Sequence, residues 1–177
     1  MLKLILVNSI LLGFGVMQCK NSSEYDLINY LSCGVNNNIL IDEESLIWKD
    51  WGFDSYSDLP TKNINSRGGF QTFDLDSSLT QKDKEKIEHI LASKATLKIE
   101  LDKLSCKEKL YKAQGFIPKK TIYSYSYPIL LKGKNQEFYG IVLEQKTFEL
   151  NSEIKLKVFV RQSDSWECVY EELLGFS

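Results

Sequence analysis

The sequence predicts an α+β fold, with N-terminal short helices and one longer helix packed on a C-terminal antiparallel β-meander of four to five strands. Three observations lead there. Apolar residues recur at helical spacing over residues 24–33 and 80–94. From Ala95 onward the apolar period falls toward two, the spacing of strands. The strand-like runs are short and joined by polar turns, as in a meander. A length of 177 residues with 43% apolar and 26% charged side chains suits one globular domain. Charge is nearly balanced, 22 Lys+Arg against 24 Asp+Glu, with no basic stripe to track phosphates, so a nucleic-acid partner is not expected.

Before the domain stands an apolar run, residues 4–17, behind the single positive charge of Lys3. It is shorter than the roughly 20 residues a membrane-spanning helix needs. Its length and flanks fit the apolar region of an export signal. A buried first element of the domain fits less well, because the run has no polar face to meet water. An uncleaved anchor helix is the other alternative. The run ends in Val16-Met17-Gln18-Cys19, which resembles the lipobox of bacterial lipoproteins. That resemblance implies a diacylglyceryl group on the Cys19 thiol and cleavage before it. Gln18 departs from the Gly, Ala or Ser usual in the family at that position. The expected organisation is a lipoprotein-type signal peptide over 1–18, a lipidated Cys19 with its tether over 19–23, and one α+β domain over 24–177. With Cys19 acylated, Cys33, Cys106 and Cys168 remain, enough for one bridge whose pairing the sequence leaves open.

A first helix is expected over 24–33, capped by Ser22 or Ser23 and ended at Gly34, with Leu27, Tyr30 and Leu31 on its buried face. A second short helix is expected after Asp42, with Glu43 and Glu44 at its positive end, Ile47 and Trp51 on one side, and Gly52 as its stop. Turn chemistry dominates 54–69, so "FQTFDL" at 70–75 reads as a short strand behind a surface loop. The clearest helix is "TQKDKEKIEHILASK", with Thr80 and Asp83 as a capping box and Ile87, Ile90 and Leu91 as its buried stripe. His89, the sole histidine, falls off that stripe and reads as a solvated residue rather than a catalytic base.

Strands are then expected in "TLKIELDKL", "TIYSYSYPILL", "FYGIVLEQKTF", "IKLKVFVRQ" and "WECVYEELL". Pro128 marks an edge or a bulge, since proline donates nothing to a ladder. Trp166, Cys168 and Tyr170 alternate onto one side of the last strand, with Cys168 packed as a small hydrophobe. The stretch 122–170, with "YSYPILL", a strand pair, a polar turn and Trp166, resembles the C-terminal part of small exported proteins of Bacteroidetes-type bacteria. That resemblance carries no known activity, and Pro128 and Trp166, which match it most directly, are sheet architecture.

No catalytic constellation is visible. There is no CxxC or His-bearing ligand spacing for a metal, no Gly-rich phosphate loop, and no cofactor motif. Asp74-x-Asp76 reads as turn and cap residues before a hard-cation site. The remaining signal is aromatic. Trp48, Trp51, Phe53 and Tyr56 cluster, followed by Phe70 and Phe73, and Arg67 sits in a glycine-flexed loop. Packing explains most of these. The candidate binding set is Trp48, Trp51, Tyr56, Arg67 and Phe70. The expectation is a membrane-anchored envelope lipoprotein that binds a protein partner or small ligand without catalysis. A carboxylate-based hydrolase, or an inhibitor or immunity protein, is the alternative.

Overall fold

Residues 139–143 are apolar without a break, which suits a strand covered on both faces. In the computed structural model, which describes residues 24–33, 39–60, 64–65, 72–93, 98–111, 119–134 and 136–176, this run is the middle of the sheet. The strands are β1 (Ile39–Asp42), β2 (Ile64–Asn65), β3 (Thr72–Phe73), β4 (Leu110–Tyr111), β5 (Thr121–Tyr125), β6 (Ile129–Lys132), β7 (Phe138–Phe148), β8 (Asn151–Gln162) and β9 (Ser165–Phe176). The helices are α1 (Glu24–Cys33), α2 (Leu75–Ser78) and α3 (Gln81–Leu91). Seven strands form one sheet in the order β4-β1-β5-β7-β8-β9, with β6 also paired to β7, and β2-β3 stand apart. The C-terminal strands pair antiparallel, as expected, whereas β1 runs parallel to both β4 and β5.

Alternate residues of β7 feed two cores. Tyr139, Ile141 and Leu143 pack with Ile87 and Leu91 of α3 and with Trp48, Phe53, Leu59, Leu75 and Leu79. Val142 packs on the other face with Leu27, Ile28 and Leu31 of α1 and with Phe159 and Trp166. Helix α1 comes so close that a Cβ on Gly140 would lie 2.5 Å from Leu27 Cδ2. A disulfide joins Cys33, at the end of α1, to Cys106, 73 residues on. Beside it Lys109 Nζ, also buried, donates to the Ser32 carbonyl at 3.3 Å, satisfying part of the helix C-terminus. Cys168 is outside the bridge, and its thiol donates to the Tyr170 carbonyl at 3.3 Å.

Local signals are realised where they are strong. α1 and α3 occupy the expected segments, and Thr80 and Asp83 make the reciprocal capping box. The structure corrects five other expectations. Within α1, Tyr25 and Ile28 complete the buried stripe, while Tyr30 is exposed and meets Phe159 edge-on. No second helix follows Asp42, because the backbone there is taken by the sheet: Glu43 N–H donates to the Tyr111 carbonyl at 3.0 Å and Leu46 N–H to that of Tyr125 at 2.9 Å. Only a 3₁₀ turn at Trp48–Trp51 remains, and Trp48 rather than Trp51 is its buried residue; Gly52 does end it, at φ 83°. The strand expected at 96–104 reduces to a bridge between Lys98 and Glu44 and a 3₁₀ turn at Leu101–Lys103. Side chains of α1 take its polar groups instead, with Glu100 N–H donating to the Tyr25 hydroxyl at 2.7 Å and Ser105 N–H to Asn29 Oδ1 at 2.8 Å. The strand at 70–75 shrinks to Thr72–Phe73, since Asp74 caps α2. A bulge in the β8–β9 register sets Val158 opposite Tyr170 but Phe159 opposite Cys168. Tyr170 therefore packs toward the α3 side while Trp166 and Cys168 face α1.

Pro128 sits in a bulge, as its missing donor requires. Tyr125 pairs with Glu144 and Ile129 with Ile141, leaving three residues opposite two. Ser126 bridges the gap: its N–H donates to the Leu143 carbonyl, and its Oγ accepts from Leu143 N–H, both at 2.9 Å.

Replacing Cys33 and Cys106 by serine frees a long loop in the unfolded chain and should cost about 4 kcal/mol on the loop-entropy model. Denaturant unfolding of the double variant against the parent measures it. Gly140→Ala should cost about 1–3 kcal/mol, because Leu27 is fully enclosed and has nowhere to move. Burial raises the phenols of Tyr123, Tyr125, Tyr127 and Tyr170 above their ordinary value of 10.0. The unfolded phenols then ionise first, so stability is complete below pH 10 and falls as pH rises beyond it. Thermal unfolding followed between pH 8 and 11 should show that decline.

Candidate functional site

Once β1 ends, the chain cannot stay extended along the sheet, because Leu46 bridges Ser126 in parallel and turns residues 45–48 across it. Trp48 anchors that crossing. Its ring is buried and meets Phe53 edge-on at 5.8 Å between centroids, and its Nε1 donates to the Tyr127 carbonyl at 3.2 Å. The last turn of α3 supplies the opposite wall, bringing His89, Ile90 and Ser93 to face this segment. That turn is closed by Ala92 N–H donating to the Glu88 carbonyl at 2.9 Å and Ser93 N–H to that of Ile90 at 3.1 Å. Between the walls lies a groove of about 220 Å³. Leu46, Ile47, Trp48 and Ile90 line it with apolar surface, and Ser45, Ser93, His89 and Tyr127 bring polar groups to it. Carboxylates and ammonium groups are absent from the lining. Tyr127 keeps its proton at neutral pH, burial being the largest cause and the Glu24 carboxylate adding to it.

Of the five aromatic and arginine candidates, only Trp48 enters this groove. Trp51 is exposed outside it. Tyr56 is half-buried and belongs to a strut. Its hydroxyl donates to Asp76 in a short hydrogen bond, its N–H donates to Glu88 Oε1 at 2.9 Å, and Lys84 lies over its ring while pairing with Asp76 at 2.7 Å. This strut holds the 3₁₀ turn at Tyr56–Asp58 against α3. Arg67, Phe70 and Cys19 lie outside the described residues. Asp74 is the cap expected of it, accepting from Ser77 N–H at 3.1 Å.

Sequence reasoning read His89 correctly as an exposed residue off the buried stripe, but gave no sign that it borders a groove. Ser45, Ile90, Ser93 and Tyr127 were likewise missed as a set. They come from three distant stretches, and the one local signal was the Tyr127-Pro128 break in the strand pattern. No family model matches the chain, and no curated protein or solved structure is similar to it.

Trp48→Phe keeps the contact with Phe53 but removes the donor to the Tyr127 carbonyl, and should lower stability by about 1 kcal/mol. Trp48→Ala should cost about 3–5 kcal/mol by opening the wall of the groove. Trp51→Ala should change stability by less than about 0.5 kcal/mol. Urea denaturation of the three variants separates an architectural tryptophan from an exposed one.

Proposed function

We propose that this chain is an exported, lipid-anchored protein of the bacterial cell envelope whose domain binds a small neutral ligand without transforming it. Support for the location comes from the apolar run at 4–17 and the lipobox-like Val16–Cys19. The Cys33–Cys106 disulfide agrees with it, because such bridges persist in oxidising compartments. An acylated Cys19 would hold the chain at the membrane through several acyl chains, each buried methylene contributing about 0.8 kcal/mol.

The observation that carries the binding reading is the uncharged lining of the groove between residues 45–48 and the end of α3. Apolar walls with a few hydroxyl and imidazole groups suit a ligand that is mostly apolar and makes one or two hydrogen bonds. An ionised ligand would lose its hydration there without gaining a counter-charge. An enclosed apolar cavity of about 150 Å³ accommodates benzene, so this space suits a single ring or a short acyl chain.

Two experiments test the reading separately. Cells grown with a fatty-acid probe should label the chain, and Cys19→Ser should be unlabelled and released from membranes; a variant that stays labelled and membrane-bound overturns the anchoring. Titration with indole and with benzoate, followed by NMR, should shift the resonances of Ser45, Trp48 and Ser93 with indole alone, and Ile90→Trp should remove the effect by filling the groove. Equal shifts with benzoate, or shifts unaffected by Ile90→Trp, overturn the binding site.

A further inference from the structure

Four of the six exposed large apolar side chains among the described residues lie at one end of the sheet: Phe148, Leu150, Leu173 and Phe176. Leu150 is 90% exposed at the β7–β8 turn and Phe176 is 76% exposed on β9. Phe148 and Phe176 flank a shallow depression of about 230 Å³ together with Lys146, Asn151 and Glu153. Beside them runs the outer edge of β9, a twelve-residue strand paired only to β8 among the described residues. Edge strands are commonly blunted by lysine or proline, and β9 has neither.

The two shifts in the β8–β9 register sort the side chains of β9. Glu167, Tyr170 and Glu172 stand on the α3 side, opposite Val160, Val158 and Leu156. Glu171, Leu173 and Phe176 stand on the other, opposite Lys157, Lys155 and Glu153. Glu171 is already neutralised by Lys155 at 3.1 Å and Lys157 at 3.7 Å. The exposed acids of the edge are therefore Glu167 and Glu172, both on one side, with exposed apolar groups on the other.

We infer that β9 is a docking edge for an added strand, and that the strand it takes alternates basic and apolar residues. Main-chain groups would extend the sheet, as in other strand additions. The basic side chains would meet Glu167 and Glu172, while the apolar ones would cover Leu173 and Phe176. A second copy of β9 does not suit this edge. In an antiparallel pair related by a two-fold axis the same faces meet, setting Glu167 and Glu172 of one copy near those of the other, and like charges placed across strands destabilise. The longest regular run beside the apolar patch is 170–173, so the contact is short, about four to six residues. This inference is independent of the groove and of the lipid anchor.

The test uses the full chain in detergent and fluorescein-labelled octapeptides that alternate lysine and valine. Anisotropy should show saturable binding that weakens with salt, and hydrogen exchange should slow on the β9 amides. A glutamate-for-lysine peptide should not bind, and E167K/E172K should weaken the lysine peptide by tenfold or more while its melting temperature is retained. N-methylation of alternate peptide amides, tested on the parent chain, should also abolish binding, since charge alone would survive it. Undiminished binding by E167K/E172K, survival of the N-methylated peptide, or unchanged exchange on β9 would overturn the inference. Self-association at micromolar concentration with the same amides protected would overturn it in favour of a second copy.

Discussion

Burial of β7 on both faces is the constraint on which the rest of the fold depends. Tyr139, Ile141 and Leu143 need cover on one side and Val142 on the other, each large side chain contributing roughly 1.5–3 kcal/mol when enclosed. One sheet face alone cannot satisfy a strand of this kind. Helix α3 and the segment around Trp48 cover one face, and α1 with residues 99–106 covers the other. Gly140 marks where the second layer comes closest, because only a missing side chain leaves space for Leu27. The disulfide fastens that layer, joining the end of α1 to the 3₁₀-rich stretch that packs beside it.

Helix α1 covers only part of its face. Toward the Phe148 end the same side of the sheet carries Glu144, Lys157, Glu171, Lys155, Glu153 and Lys146, linked in sequence at 2.5–3.7 Å. The charges alternate and cancel, and Glu144 with Lys157 is the most enclosed pair. Isolated surface pairs contribute little, but a connected series on a rigid sheet keeps the uncovered face wet and neutral. This is why the exposed apolar groups collect at its far end rather than across it.

What could be read from sequence was what is decided locally. Helix α3 announces itself through Thr80, Asp83 and the Ile87–Leu91 spacing, all within one stretch. The long C-terminal strands alternate clearly enough to be placed. Strand β1 could not be read, because Ile39–Asp42 becomes a strand only through parallel partners some 70–80 residues away. The 96–104 pattern misled for the converse reason: its alternation is real, yet Tyr25 and Asn29 of α1 supply its hydrogen bonds in place of a neighbouring strand. Bulges escape a period-two reading by nature, and one of them moved Tyr170 to the other face. The groove was partly legible. Trp48 stood out, but Ser45, His89 and Tyr127 meet it only through tertiary packing.

The direction of α1 has a consequence for how the domain would stand on a surface. Asp26, in the first turn of α1, lies 3.5 Å from Arg161, which pairs with Phe138 at the start of β7. Phe148 is ten residues further along that strand, roughly 30 Å away at 3.3 Å per residue. A chain held through the short segment before α1 would thus stand upright, with the bilayer at its base and the Phe148–Phe176 end as its summit. The acyl chains and the apolar summit would then serve opposite directions, one inward to lipid and the other outward to whatever crosses the envelope space.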